Sequence, residues 1–151
     1  MQKEINFPQA QPCSDIVASV VNDSRPLVLI VDDFDDALDI YSTFLHFHGF
    51  NVVTATGGSE AIQIAQQTRP AVIFMDLRMP EMTGAEALAV LRQDSAFADV
   101  PVIAFTAHAL EEERVTAMEM GFTEVLPKPC LPDDFVVVVK RLLAARTPDV
   151  A

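Results

Sequence analysis

From Pro26 onward, apolar and polar positions alternate between two periods, one suited to strands and one to helices. Leu27–Asp32 is a short apolar run with the length and β-branched content of a strand. Phe34, Leu38, Tyr41 and Leu45 then recur at helical spacing up to Gly49, which suits the left-handed position that ends a helix. Asn51–Ala55 reads as a second strand, and Glu60–Gln67 as a helix with Ala61, Ile62 and Ala65 on one face. Ala71–Asp76 is a third strand of the fully buried type. Thr83 and Glu86 form a T-x-x-E capping box, which satisfies orphan amides at a helix start. That helix turns Ala87, Leu88 and Leu91 inward. Val100–Phe105 predicts a fourth strand, and Glu111–Met120 a helix closed by Gly121. Val125 and Leu126 lie in a short fifth strand, and Pro132 opens a last helix running to about Ala145.

Five strands thus alternate with five helices. The strands are apolar on both faces, as expected of a parallel sheet covered by helices on each side. Right-handed crossovers leave few topologies for such a chain. Residues 1–25 stand apart in composition, rich in Gln, Pro, Ser and Asn, with Ile16–Val21 the one stretch apolar enough to pack. They read as a loosely attached leader with a short helical turn at Ser14–Val21. Residues 26–145 form the domain, and 146–151 a tail too short for a second one.

At 151 residues the chain has the length of one domain, and half of it is hydrophobic. Ten Lys and Arg against 22 Asp and Glu give a formal net charge of −12. That balance repels phosphate backbones and anionic lipid, so nucleic acid and membrane are poor partners, whereas a cation or a basic protein patch is a good one. The two cysteines, Cys13 and Cys130, show no metal-ligand spacing and cannot build a disulfide framework. No apolar run approaches the roughly 18 residues of a membrane helix, and the N-terminus lacks a secretory pattern. The expected setting is the cytoplasm.

The chemistry concentrates at one edge. Strand one ends in Asp32-Asp33, strand three in Asp76 and strand four in Thr106, and Lys128 follows strand five. Open parallel sheets bind ligands outside the carboxyl ends of their strands, where strand order reverses. Three neighbouring carboxylates call for a cation, and a hard divalent ion such as Mg²⁺ suits them. Lys128 and Thr106 can grip phosphoryl oxygens, one as a point charge and one as a hydrogen-bond donor. Taken singly, these residues have ordinary alternatives. Asp33 or Asp35 can serve as a helix N-cap, a Lys-Pro pair as a solvated turn, and a terminal Thr as a β-former.

LVLIVDDFDDALDI, VIFMDLRMPEMTGAEAL, VPVIAFTAHA and EVLPKP together resemble the receiver domain of two-component response regulators, over about residues 26–145. The most specific part is D-x-x-M-P-x-M-x-G, Asp76 to Gly84. The resemblance implies a doubly wound α/β fold, a five-stranded parallel sheet of order 2-1-3-4-5 with five helices. It implies Asp76 as phosphoacceptor from a phosphohistidine on a histidine kinase or histidine phosphotransfer protein. Asp33, Asp76 and the backbone carbonyl of Arg78 would ligate Mg²⁺, with Mn²⁺ an acceptable substitute, and Asp32 would hold a metal-bound water. Lys128, Thr106 and the backbone of Ala107 would bind the phosphoryl group, and Thr106 would carry the switch. Lys128-Pro129 matches the family's cis peptide. The product is an aspartyl phosphate, so the chain is expected to be a signalling phosphoprotein rather than an enzyme acting on other substrates.

Departures are visible. Val125 stands where the family commonly has an aromatic that turns inward on activation, which puts the Thr–aromatic coupling in doubt. Arg78 and His108 occupy positions that influence phosphate lifetime in the family. His46 and His48 point to different faces of their helix, which argues against a shared metal site. Phe135–Val139 places apolar groups all round the last helix, read either as half core and half exposed, or as part of a partner surface. That surface would span the fourth helix, fifth strand and fifth helix, where a downstream protein or a second copy could dock. The expected function is a single-domain response regulator signalling by phosphorylation-dependent protein contacts. The alternatives are a receiver-fold adaptor that works without phosphorylation and a small haloacid-dehalogenase-like phosphatase. Asp33-Phe34-Asp35 supplies a D-x-D for the latter, but Ala37 stands where Thr or Val is needed.

Overall fold

A computed structural model describes residues 25–107, 110–128 and 131–146. The expectations for the leader before Arg25, and for Cys13, His108, Pro129, Cys130 and the tail after Arg146, lie outside the described residues. The elements run β1 (Leu27–Val31), α1 (Asp35–Phe47), β2 (Asn51–Ala55), α2 (Gly58–Thr68), β3 (Val72–Asp76), α3 (Gly84–Arg92), β4 (Val102–Thr106), α4 (Glu111–Met120), β5 (Glu124–Pro127) and α5 (Pro132–Arg146), with a 3₁₀ turn at Ser95–Phe97. The sheet is parallel throughout, in the order β2-β1-β3-β4-β5.

All residues of β1, β3 and β4 are buried, as their uninterrupted apolar runs require. The edge strands differ. β2 alternates buried with half-buried positions, and β5 is half-buried to exposed. Alternate side chains of the central strands feed two cores. Leu29, Val31, Ile73, Met75 and Ala104 pack with α2, α3 and Ala117 of α4 on one face. Val28, Ile30, Phe74, Ile103 and Phe105 pack with α1 and α5 on the other. There Phe135 stacks on Tyr41 at 4.2 Å and on Phe74 at 4.3 Å, joining α5 to α1 and to the sheet.

Several expectations shift at the boundaries. Phe34 is the residue before α1 and is 61% exposed, so Leu38 and Leu45 carry that helix's core face without it. The N-cap reading of Asp33 or Asp35 fails: Phe34 occupies the cap position with no side-chain cap bond, and Asp35 and Asp36 lie in the first turn instead. α2 begins at Gly58 rather than Glu60 and buries Ile64, while Ile62 is half-buried. β4 starts at Val102, because Val100 and Pro101 lie in the connection from the 3₁₀ turn. In α5 Phe135, Val136, Val138 and Val139 are all buried and Val137 alone of the five is exposed, so the run is core rather than half surface. The Thr83–Glu86 capping box forms as expected, with both reciprocal bonds. Gly49 (φ +95°) and Gly121 (φ +115°) take the left-handed conformation at the ends of α1 and α4.

Candidate phosphoryl and metal site

The site follows from register. Val31 pairs with Met75, and Asp76 with Phe105, so Asp32 and Asp76 lie level at the ends of adjacent strands and Thr106 stands one residue further along the next strand. Asp32, Asp76 and Thr106 are buried while Asp33 is exposed, which places one carboxylate at the mouth and two beneath it. The Lys128 ammonium lies 3.2 Å from Asp32 Oδ2 and 3.2 Å from Asp76 Oδ2, bridging the two. It also sits 4.8 Å from the centre of the Phe105 ring, a cation–π contact that no sequence signal announced. The backbone amide of Lys128 donates to the Thr106 carbonyl at 2.7 Å, tying the end of β5 to the end of β4.

Backbone amides aim the carboxylates. Phe34 N–H donates to Asp32 Oδ1 at 2.9 Å, and Arg78 N–H to Asp76 Oδ1 at 3.1 Å. Each is an i+2 turn bond that fixes a side chain at a strand end. The Arg78 side chain is exposed, as is Ala107. Val125 is half-buried in β5 opposite Ala104 and packs on the core shared with α2, α3 and α4.

Burial pushes the Asp76 carboxyl above the ordinary carboxylate value, and Asp32 adds to this, while the Arg78 amide and Lys128 oppose it. Lys128 shows the opposite balance. Burial alone would lower its pKa, but the Asp76 and Asp32 charges outweigh burial and hold it raised.

One oxygen from each of Asp32, Asp33 and Asp76 lies within 4.8 Å of the others. Three carboxylates against one ammonium leave two negative charges, and all the donors are hard oxygens. That set fits Mg²⁺ or Mn²⁺ and does not fit a thiolate-seeking metal.

The sequence marked Gly84 only as part of a pattern, and packing supplies its reason. A Cβ there would lie 2.4 Å from the Asp76 carbonyl oxygen and 3.0 Å from Leu77 Cα, so α3 can start this close to the phosphoacceptor candidate only with glycine. Arg92, at the end of α3, passed unnoticed in the sequence. Its guanidinium donates to the carbonyls of Phe97 (2.6 Å), Val100 (2.9 Å) and Gly121 (2.9 Å).

Residues 28–140 match the family described as "Response regulator receiver domain". The chain belongs to that family. Among relatives of this receiver domain, the transcriptional regulatory protein PrrA of Mycobacterium leprae is 38% identical over 123 residues, covering 82% of this chain and 52% of PrrA. The chain therefore spans about half the length of the PrrA proteins it matches. A 14.6 kDa protein from the sodA1 3′ region of Leptolyngbya boryana is 34% identical over 122 residues, covering 81% of this chain and 93% of its own length. The chemotaxis response regulator CheY4 of Vibrio cholerae superposes with a TM-score of 0.75 at 32% identity, covering 79% of this chain and 99% of that one. The receiver is thus a signalling domain of the two-component type, with the sheet order and helix count that the resemblance implied. Among its described residues, no helix is long and apolar enough to cross a membrane.

Proposed function

We propose that this receiver accepts a phosphoryl group on Asp76 from a phosphohistidine of a histidine kinase or histidine phosphotransfer protein, in a reaction that requires Mg²⁺. The observation that carries the reading is the Lys128 ammonium bridging Asp32 and Asp76 at 3.2 Å each, beside a third carboxylate at the mouth. An Asp76 oxygen attacks phosphorus in line; the P–N bond breaks and its electron pair returns to the imidazole, which takes up a proton. Asp33, Asp76 and the Arg78 carbonyl would hold the ion, and Asp32 would orient a water on it; when bound, Mg²⁺ neutralises charge on the transferring oxygens. Lys128 leaves its bridge to pair with a phosphoryl oxygen. The Thr106 hydroxyl and the Ala107 amide donate to the others, and Asp76 stays aimed by the Arg78 amide.

The product biases a two-state domain through the segment that follows β4. With Val125 half-buried in β5, that shift proceeds without an aromatic partner at this position. The output surface is α4, β5 and α5, where Val115, Met118 and Met120 of α4 and Val137 of α5 are exposed; a downstream protein or a second receiver docks there. The setting we assign is the cytoplasm, and nucleic acid and membrane are not partners of this acidic domain.

The test is intact mass after incubation with acetyl phosphate. One added phosphoryl group, lost without Mg²⁺ and lost in Asp76→Asn, is the expected result. No adduct with either acetyl phosphate or a phosphorylated histidine donor would leave the phosphorylation-independent adaptor as the better reading.

A further inference from the structure

α1 carries an apolar stripe whose two ends, Ile40 and Phe47, lie outside the core, while Phe44 between them packs partly against it. Ile40 is 57% and Phe47 82% exposed, and Phe44 between them is half-buried. At the lower end the His48 ring lies 4.5 Å from Phe44, tilted by 36°, and 5.5 Å from Phe47, edge-on at 74°, which widens the stripe by a third ring. Residues three and four apart share a helix face, so Ile40, Phe44 and Phe47 form one continuous strip about 10 Å long.

The chain enters the domain beside this strip. Asn51, four residues beyond Phe47, donates from its backbone amide to Pro26 O at 2.8 Å and from its side chain to Arg25 O at 3.2 Å. Arg25 is therefore held next to the turn that ends α1. Residues 1–24 precede it, and their one apolar stretch, Ile16–Val21, ends four residues before Arg25. Four extended residues reach about 13 Å and nine reach about 30 Å, so both ends of Ile16–Val21 can lie along the strip without strain. The stretch matches it in kind. Ile16 with Val20, and Val17 with Val21, are i,i+4 pairs on one helical face, no charge lies between 16 and 21, and Ser14 and Asp15 are good residues to start a helix.

We propose that Ile16–Val21 of this chain docks on the Ile40–Phe44–Phe47 face of α1, as an intramolecular cover for a surface that the described residues leave exposed at Ile40 and Phe47. α1 begins directly after Asp33 and Phe34, so the cover lies on the helix that leads away from the mouth of the carboxylate site. It blocks that helix face to other proteins while docked.

Hydrogen exchange of the full chain, followed by mass spectrometry, tests this without any need for phosphorylation. Backbone amides within 16–21 should exchange about tenfold or more slowly than in a free peptide of the same sequence, equally at low and high protein concentration. In Ile40→Ser with Phe47→Ser, both exposed positions that leave the core intact, that protection should vanish while protection in β1 and β3 stays unchanged. A second variant, Val17→Asp with Val20→Asp, should lose the protection from the other side of the contact. Free-peptide exchange at 16–21 in the unaltered chain would overturn the proposal. So would protection that survives the α1 changes, which places the segment elsewhere, or protection that grows with concentration, which assigns the strip to a second copy.

Discussion

Replacing Arg92 by alanine should loosen the fold far from the carboxylates, by an amount that can be worked out from its bonds. One guanidinium joins three elements: it leaves the end of α3, reaches the Phe97 and Val100 carbonyls in the connection to β4, and meets Gly121 O at the end of α4. Burial draws its pKa below the ordinary guanidinium value, and Asp99 draws it back. A hydrogen bond from a charged donor contributes about 1.5–3 kcal/mol when fully desolvated, and less where the freed carbonyl can rehydrate. The three carbonyls lie at partly buried positions, so about 1 kcal/mol for each, about 3 kcal/mol in all, is the expected loss in Arg92→Ala. For a domain of this size each kcal/mol lowers Tm by about 3–5 °C, giving a fall of about 10 °C. Urea unfolding followed by circular dichroism should show the same loss as a lower midpoint at constant slope. Arg92→Lys keeps the charge but not the fork, and should recover no more than about a third of the stability. A Tm drop under about 3 °C in the alanine variant, or a lysine variant as stable as the parent, would show that the fork fastens nothing.

Gly84→Ala forces the Asp76 carbonyl to retreat by nearly the width of a bond, because its Cβ would otherwise lie 2.4 Å away. The expected cost is about 2–3 kcal/mol, with a fall in acetyl-phosphate labelling larger than the stability loss accounts for. Asp76→Asn should raise Tm at neutral pH. The folded pKa of Asp76 lies above its unfolded value, so its share of stability is full below the unfolded pKa and is lost as pH rises through the folded one. The advantage of the Asn variant should therefore shrink on acidification, and an advantage independent of pH would contradict this account. Mg²⁺ at ten times its dissociation constant should stabilise the parent by about 1.4 kcal/mol in differential scanning calorimetry. Asp33→Asn, an exposed change, should fold normally and lose that response.

The strand and helix sequence was readable because two periods of hydrophobicity and a few cap residues carry it. The Thr83–Glu86 box, Gly49 and Gly121 each did in the structure what their chemistry implies. The placement of Asp32, Asp76 and Lys128 was readable for a related reason: polar residues directly after fully apolar strands have few places to go in a parallel sheet. What escaped was decided by contacts distant in sequence. Nothing near Arg92 in the chain signals that Gly121 O will lie 2.9 Å from it. Phe34 followed the helical period and yet stands outside α1, because the Asp32 carboxylate captures its amide in a turn. The valine run of α5 read either as half core and half exposed or as part of a partner surface, whereas it is wedged between the sheet and α1, with Val137 left outside.

The level alignment of β1 with β3 has a consequence for how this chain can change over evolutionary time. Val28 through Val31 run against Val72 through Met75 without a bulge, so Asp32 and Asp76 meet by equal counting along two rods. One residue inserted or deleted between Val28 and Asp32 would exchange the two faces of β1 and turn the buried carboxylate outward. Length is therefore frozen within the strands and free at the opposite edge of the sheet, where the chain enters at Arg25 and turns at Gly49 and Pro70. Lineages descended from this sequence should accumulate insertions at that edge, and keep the strand interiors at their present length for as long as the carboxylates are needed.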